Sequence, residues 1–186
     1  SEDGEVRAVL AFGANLPGDL GDPAAQIAHA AASLASTAGI RVLASSRMFA
    51  TPPWGVADQA EFRNCVLIAD VEDALFTPLD LLHRCQAEEQ AAHRVRARHW
   101  GPRTLDVDLV ALYSDTGEEI RSDGRWGEEL VVPHAWAHAR AFVLVPWQDA
   151  DPSSTLGGTP LADLIAACPA EAVSGVRALP DVAWAP

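Results

Sequence analysis

Thr104-Leu105-Asp106-Val107-Asp108-Leu109-Val110-Ala111-Leu112-Tyr113 is the stretch on which the reading of this chain turns. It is rich in leucine and valine, and neither proline nor glycine interrupts it, so it reads as a strand. Side chains two apart on a strand point the same way, which puts Asp106 and Asp108 on one face with Cα atoms roughly 6.5–7 Å apart. Val110 and Leu112 would continue that face, with Leu105, Val107 and Leu109 on the other. A strand apolar on both faces is largely covered, which argues against a merely solvated carboxylate pair at its start. At an effective dielectric of about 20, such a pair repels by on the order of 2 kcal/mol. A divalent cation removes that penalty, and magnesium takes one or two carboxylates and completes its shell with phosphate and water. Taken alone, the Asp-x-Asp pair also fits a structural or exposed role.

Upstream of this strand lie Arg94, Arg96, Arg98 and Arg103, clustered within ten residues of an acidic chain. The chain has 186 residues, a formal net charge of −13 and thirteen basic residues, all of them arginine. That charge argues against general nucleic-acid binding, which needs a basic surface. The lack of lysine excludes a Gly-x-x-x-x-Gly-Lys phosphate loop and a Schiff-base lysine. A local arginine cluster on an acidic protein points to a small anionic ligand, against the plainer reading of a solvated basic loop. Cys65, Cys85 and Cys168 stand far apart in apolar surroundings and read as reduced thiols rather than metal or redox motifs. No apolar run approaches the ~20 residues of a membrane helix, and the acidic start resembles no signal peptide. A soluble cytoplasmic protein is the expectation.

Further out, the alternation of Val6, Ala8, Leu10 and Phe12 predicts a first strand, followed by a turn-rich stretch from Gly13 to Gly21. Asp22-Pro23 reads as a helix cap and first turn, and Gly39 as its stop. Strands are expected over Ile40 to about Phe49 and Phe62–Val71, with a proline-rich loop between them. Thr77-Pro78-Leu79-Asp80 predicts a reciprocally capped second helix. Ser114–Glu129 reads as a polar excursion or hairpin, and a short helix over about 135–140 leads into the apolar run Phe142–Val145. One more helix follows Thr159-Pro160. The order predicts an α+β ferredoxin-like sandwich: an antiparallel sheet with a β-α-β-β-α-β core, helices on one face, and added helices. One domain over 1–186 is expected, with 1–5 and 176–186 peripheral.

Gln86, Glu89 and His93 share a helix face by their spacing, as a functional row or an exposed polar stripe. Trp100 fits either a core anchor or a lid, and His134 with Arg140 either phosphate binding or a structural hydrogen bond.

Three blocks resemble the 6-hydroxymethyl-7,8-dihydropterin pyrophosphokinase family. They are Thr51-Pro52-Pro53-Trp54-Gly55 with Asp58-Gln59 and Phe62-Arg63-Asn64; Arg94-Val95-Arg96 with Trp100 through Asp108; and Val132-Pro133-His134 with Arg140-Ala141-Phe142-Val143-Leu144. The resemblance implies transfer of pyrophosphate from ATP to the pterin's hydroxymethyl group, with AMP released in the folate pathway. It implies two magnesium ions on Asp106 and Asp108, and catalytic arginines at Arg94 and Arg103. Gln86, Glu89, Arg96, Trp100, Leu109, His134 and Arg140 match ATP-side positions. Thr51, Pro52, Trp54, Phe62, Asn64 and Phe142 match pterin-side ones, with Phe62 and Phe142 able to supply stacking faces. Phe62 stands where tyrosine is common, Ala135 replaces a frequent tyrosine, and His93 a frequent glycine. The resemblance implies small-molecule substrates; with the charge and hydropathy above, neither membrane nor nucleic-acid partners are expected, and a monomer is the expectation. Two other readings are a two-aspartate nucleotidyltransferase, which would release pyrophosphate, and a non-catalytic binding module on the same sandwich.

Overall fold

The computed structural model describes residues 4–53, 60–92 and 104–186. Strand β1 (Glu5–Ala14) lies centrally, antiparallel to β4 (Phe62–Glu72) on one side and to β5 (Asp106–Tyr113) on the other. Helix α1 (Pro23–Ala35) leads from β1 to β2 (Ile40–Ser45) and β3 (Met48–Thr51), which both pair with β4. Helix α2 (Pro78–Ala92) precedes β5, and β6 (Glu119–Ile120) returns as a short hairpin on β5's far end. Helix α3 (Ala141–Ala150) is followed by the β7–β8 hairpin (Thr155–Leu156, Thr159–Pro160), α4 (Leu161–Ala167), α5 (Ala170–Ser174) and β9 (Arg177–Leu179). The main sheet runs β6-β5-β1-β4-β3-β9, with β2 also on β4. This is the expected α+β sandwich.

The caps behave as their chemistry requires. Asp22 accepts the Ala25 N–H at 2.8 Å ahead of Pro23. Thr77 and Asp80 form a reciprocal box, Thr77 N–H to Asp80 at 3.0 Å and Asp80 N–H to Thr77 Oγ1 at 3.1 Å. Such caps contribute about 1 kcal/mol each.

The sheet separates two cores. On one face, Leu10, Phe12, Leu67, Leu105, Val107 and Leu112 pack with Ile27 and Leu34 of α1 and Leu81 and Cys85 of α2. On the other, Val9, Ala11, Val66, Ile68 and Ala111 pack with Val143, Leu144 and the fully buried Trp147 of α3 and Leu161 of α4. The added helices cover the second face of the sheet, where the expected core had helices on one face only. The apolar run Phe142–Val145, given no element in the sequence reading, is the first half of α3.

Three features differ from the sequence reading. The register of β1 against β5 slips between Val9–Ala111 and Leu10–Leu109, leaving Val110 as an extra residue. This bulge reverses the alternation beyond it. Leu112 therefore belongs to the α1/α2 core, not to the face carrying Asp106 and Asp108. Second, the single strand expected over 40–49 is broken at Ser46–Arg47. There the buried Ser46 hydroxyl accepts the Val66 N–H of β4 at 2.9 Å, standing in for a ladder carbonyl. Third, the segment expected to be peripheral at the chain's end supplies β9 on the outer edge of β3. It also supplies Trp184, 6% exposed, whose ring meets Phe12 at 5.8 Å between centroids.

Candidate active site

Residues paired across a sheet share a face. Asp106 pairs with Gly13, and Gly13 pairs on its other side with Asn64; Asp108 pairs with Ala11, which pairs with Val66. The α3-side core contains Ala11 and Val66, so Asp106, Asp108 and Asn64 all face that side. Asn64, Gly13 and Asp106 thus form one row over three strands, with the outer Cα atoms roughly 10 Å apart by strand spacing.

The row continues into β3. Asn64 donates through Nδ2 to Thr51 Oγ1 at 2.7 Å, and both residues are 6% exposed. That bond fixes the amide, leaving its carbonyl oxygen toward Gly13, where a Cβ would lie 3.0 Å away. Gly13, which reads from the sequence only as the start of a turn, is therefore part of the candidate site. Any side chain there would fill the space between the amide and the carboxylates. A buried polar residue that the sequence reading also did not pick out is Asn15, 1% exposed, which donates to the Ala60 carbonyl at 3.1 Å. Its signal was a polar residue directly after an apolar strand. Phe62, half-buried, pairs with Thr51 on the same face, while Pro52 is exposed.

On the outer edge of β5, Glu89 of α2 accepts the Val107 N–H at 2.9 Å, the amide lying between the two aspartates. Residues two apart turn their backbone groups the same way, so Leu109's N–H and C=O also face that edge. Its side chain is buried in the α1/α2 core at 4% exposure. Gln86 lies exposed one helical turn before Glu89.

His134 is held to β5 by its own N–H on the Val110 carbonyl at 2.8 Å. Burial lowers its pKa; the Asp108 carboxylate opposes this and Arg140 adds to it. The Trp136 N–H donates to His134 Nδ1 at 3.4 Å, so the neutral ring carries its proton on Nε2. The Arg140 guanidinium lies 5.7 Å from the Phe142 ring centroid, within cation–π range.

The structure therefore brings Thr51, Phe62 and Asn64 onto the face of Asp106 and Asp108, and places Asp108, His134 and Arg140 within electrostatic reach of one another. Trp54, Arg94, Arg96, Trp100 and Arg103 lie outside the described residues. Among the described residues no group of three or more His, Cys, Asp or Glu has metal-holding geometry. The donor set here is two hard carboxylates on one strand face, which suits magnesium completing its shell with phosphate and water.

Fold and site define an α+β sandwich with a carboxylate pair, a neutral imidazole and a fixed amide gathered at one end of one sheet face. The model of the 7,8-dihydro-6-hydroxymethylpterin-pyrophosphokinase (HPPK) family matches residues 9–152. Among curated proteins, the chain is 42% identical over 161 residues to the 2-amino-4-hydroxy-6-hydroxymethyldihydropteridine pyrophosphokinase of Methylorubrum extorquens, covering 87% of this chain and 92% of that one. It is 39% identical over 175 residues to the protein of that name from Pseudomonas aeruginosa, covering 94% and 97%. Solved structures of Plasmodium falciparum HPPK-DHPS share the fold, with a TM-score of 0.61 and 13% identity for one that covers 89% of this chain. The match spans 46% of that longer chain. The chain belongs to the HPPK family.

Proposed function

We propose that this chain transfers pyrophosphate from ATP to the hydroxymethyl group of 6-hydroxymethyl-7,8-dihydropterin, releasing AMP, in folate biosynthesis. The observation that supports it most is the row Asn64–Gly13–Asp106, which joins the pterin-side and phosphate-side residues on one face. Asn64, with its amide fixed by Thr51, would bond the pterin edge in plane, and Phe62 and Phe142 would flank its faces. Asp106 and Asp108 would hold magnesium, which when bound neutralises and aligns the triphosphate. Leu109's outward N–H and C=O offer the adenine a donor and an acceptor. Nε2–H of His134 and the Arg140 guanidinium would bond phosphate oxygens. Arg94 and Arg103 would stabilise charge during transfer, with Arg96, Trp100, Gln86 and Glu89 on the nucleotide side and Trp54 and Pro52 on the pterin side. The hydroxymethyl oxygen attacks the β-phosphorus and releases its proton to solvent, the bond from that phosphorus to the α,β-bridging oxygen breaks, and AMP leaves on the opposite side.

Among the described residues no helix is long and apolar enough to cross a membrane. We take the enzyme to be a cytoplasmic monomer, which light scattering of the purified protein tests for its oligomeric part. The decisive experiment incubates the protein with ATP, magnesium and the hydroxymethyl pterin and separates the products. AMP and pterin diphosphate in equal amounts are expected; pyrophosphate in place of AMP would make it a nucleotidyltransferase, and no turnover would leave a binding module.

A further inference from the structure

The C-terminal segment lies beyond the residues matched by the family model, yet it reaches the pterin side of the site by three routes. β9 pairs along β3, Met48 with Leu179, Phe49 with Ala178 and Ala50 with Arg177, ending one residue short of Thr51. Arg177 forms an ion pair with Glu61, the residue before Phe62 opens β4. Gly175 sits against Pro52, where a Cβ would lie 3.3 Å from the proline Cδ and 3.5 Å from its Cγ. Trp184 fixes the whole segment by donating its indole N–H to the Ser46 carbonyl at 2.9 Å, in the break between β2 and β3. One short stretch therefore touches Pro52 after β3 and Glu61 before β4. These residues directly adjoin the cross-strand pair Thr51–Phe62, next to Asn64.

We propose that Gly175–Leu179 is a positioning element for the acceptor, setting pterin affinity without setting nucleotide affinity. β1, β4 and β3 separate β9 from β5, so the nucleotide-side groups on β5 and α2 lie across the sheet from it. A Cβ at Gly175 would lie 3.2 Å from the Glu171 carbonyl oxygen and 3.3 Å from Pro52 Cδ, so a larger side chain there has to push Pro52, and a displaced Pro52 pulls directly on Thr51. The Arg177–Glu61 pair is half exposed, with 54% and 43% of the side chains accessible, so its share of the effect is small. This inference rests on the assignment of Thr51, Pro52, Phe62 and Asn64 to the pterin.

The test is a set of variants, Gly175→Leu, Arg177→Glu, and Arg177→Glu combined with Glu61→Arg, assayed for KM of each substrate at saturating co-substrate. Gly175→Leu should raise the pterin KM by about tenfold or more, as small misplacements of positioning groups do, and leave the ATP KM near wild type. Arg177→Glu should raise the pterin KM by about threefold, and the double variant should restore it. Equal rises in both KM values, an unchanged pterin KM, or failure of the charge swap to restore it would each overturn the proposal. If Gly175→Leu fails to fold, the swap decides alone. A wild-type protein that makes no AMP would refute the functional reading, whereas an active one whose pterin KM ignores these changes refutes only the positioning role.

Discussion

The two ends of β1 make an instructive pair. Both present polar groups on the same sheet face, between the same neighbours β4 and β5. At the far end, Arg7 pairs with Asp70 at 3.1 Å, Arg41 joins the same carboxylate at 3.1 Å, and Tyr113 donates to the Thr155 carbonyl. Arg7, Asp70, Tyr113 and Thr155 line a cavity of about 510 Å³ with Glu5 and Asp151. There, opposite charges sit opposite each other across the strands, and the protein compensates itself. At the Gly13 end, the like charges of Asp106 and Asp108 share one strand, and the strand beside Asp106 carries a glycine. The contrast teaches that the two charged ends differ in arrangement: opposite charges paired across strands at one, and like charges aligned on one strand beside a glycine at the other.

The strongest way to break this comparison is to neutralise a site carboxylate in place. Asp108→Asn keeps the shape and should cost on the order of a thousandfold in turnover, as loss of a charge-stabilising group typically does. Urea unfolding should be nearly unchanged. A variant keeping most of its turnover would remove the pair from the mechanism. Chelating magnesium from the wild type should stop the reaction equally, and added magnesium should restore it.

Filling the glycine comes next. Gly13→Val suits a strand backbone but places atoms against the Asn64 amide. The pterin KM should rise by about tenfold to a hundredfold with little change in melting temperature. An unaltered KM would mean that the gap serves no ligand.

Asp70→Ala tests the opposite end. It should lower unfolding free energy by about 1–3 kcal/mol, because two arginines lose a nearly buried acceptor. Turnover measured below the unfolding transition should stay at wild type; a selective loss of kcat would erase the distinction between the ends.

The smallest effect concerns Cys85, beneath the carboxylates. Burial pushes its pKa up to about 12, with Glu89 and Asp108 adding to the rise, and burial likewise raises Cys65. A thiol held neutral when folded but free to ionise when unfolded gives stability that is present below pH of about 8.5 and lost above it. Stability should therefore fall between neutral and alkaline pH, and Cys85→Ala should flatten that slope. Native Cys85 should also resist thiol reagents at neutral pH, and rapid labelling would contradict its burial.

Much of this architecture is written locally. The Asp22 and Thr77/Asp80 caps, the alternation of β1 and the two aspartates of β5 depend on neighbours a few residues away, so the sequence alone reveals them. The Val110 bulge is different. Nothing in Leu109-Val110-Ala111 distinguishes an extra residue from an ordinary one until β1 is laid alongside, and so Leu112 is assigned the wrong face. The same holds for Ser46, whose hydroxyl replaces a ladder partner only where β4 passes. Gly13 belongs to this group too, since its meaning comes from Asn64 and Asp106, one on each flank. β9 and Trp184 are short and weakly patterned, and find their places only through distant partners. For the site, the residue types were legible, whereas the row that joins them was not.

The pairing of residues 177–179 with 48–50 also bears on the order in which the molecule is completed. Synthesis delivers β1, β4 and β5 well before β9, and a strand edge without its partner is exposed to wrong pairings in the interval. The long sequence separation makes this closure slow compared with helix formation. β9, the strand proposed above to position the acceptor, is thus the last of the main sheet to be laid down, after the carboxylate strand β5.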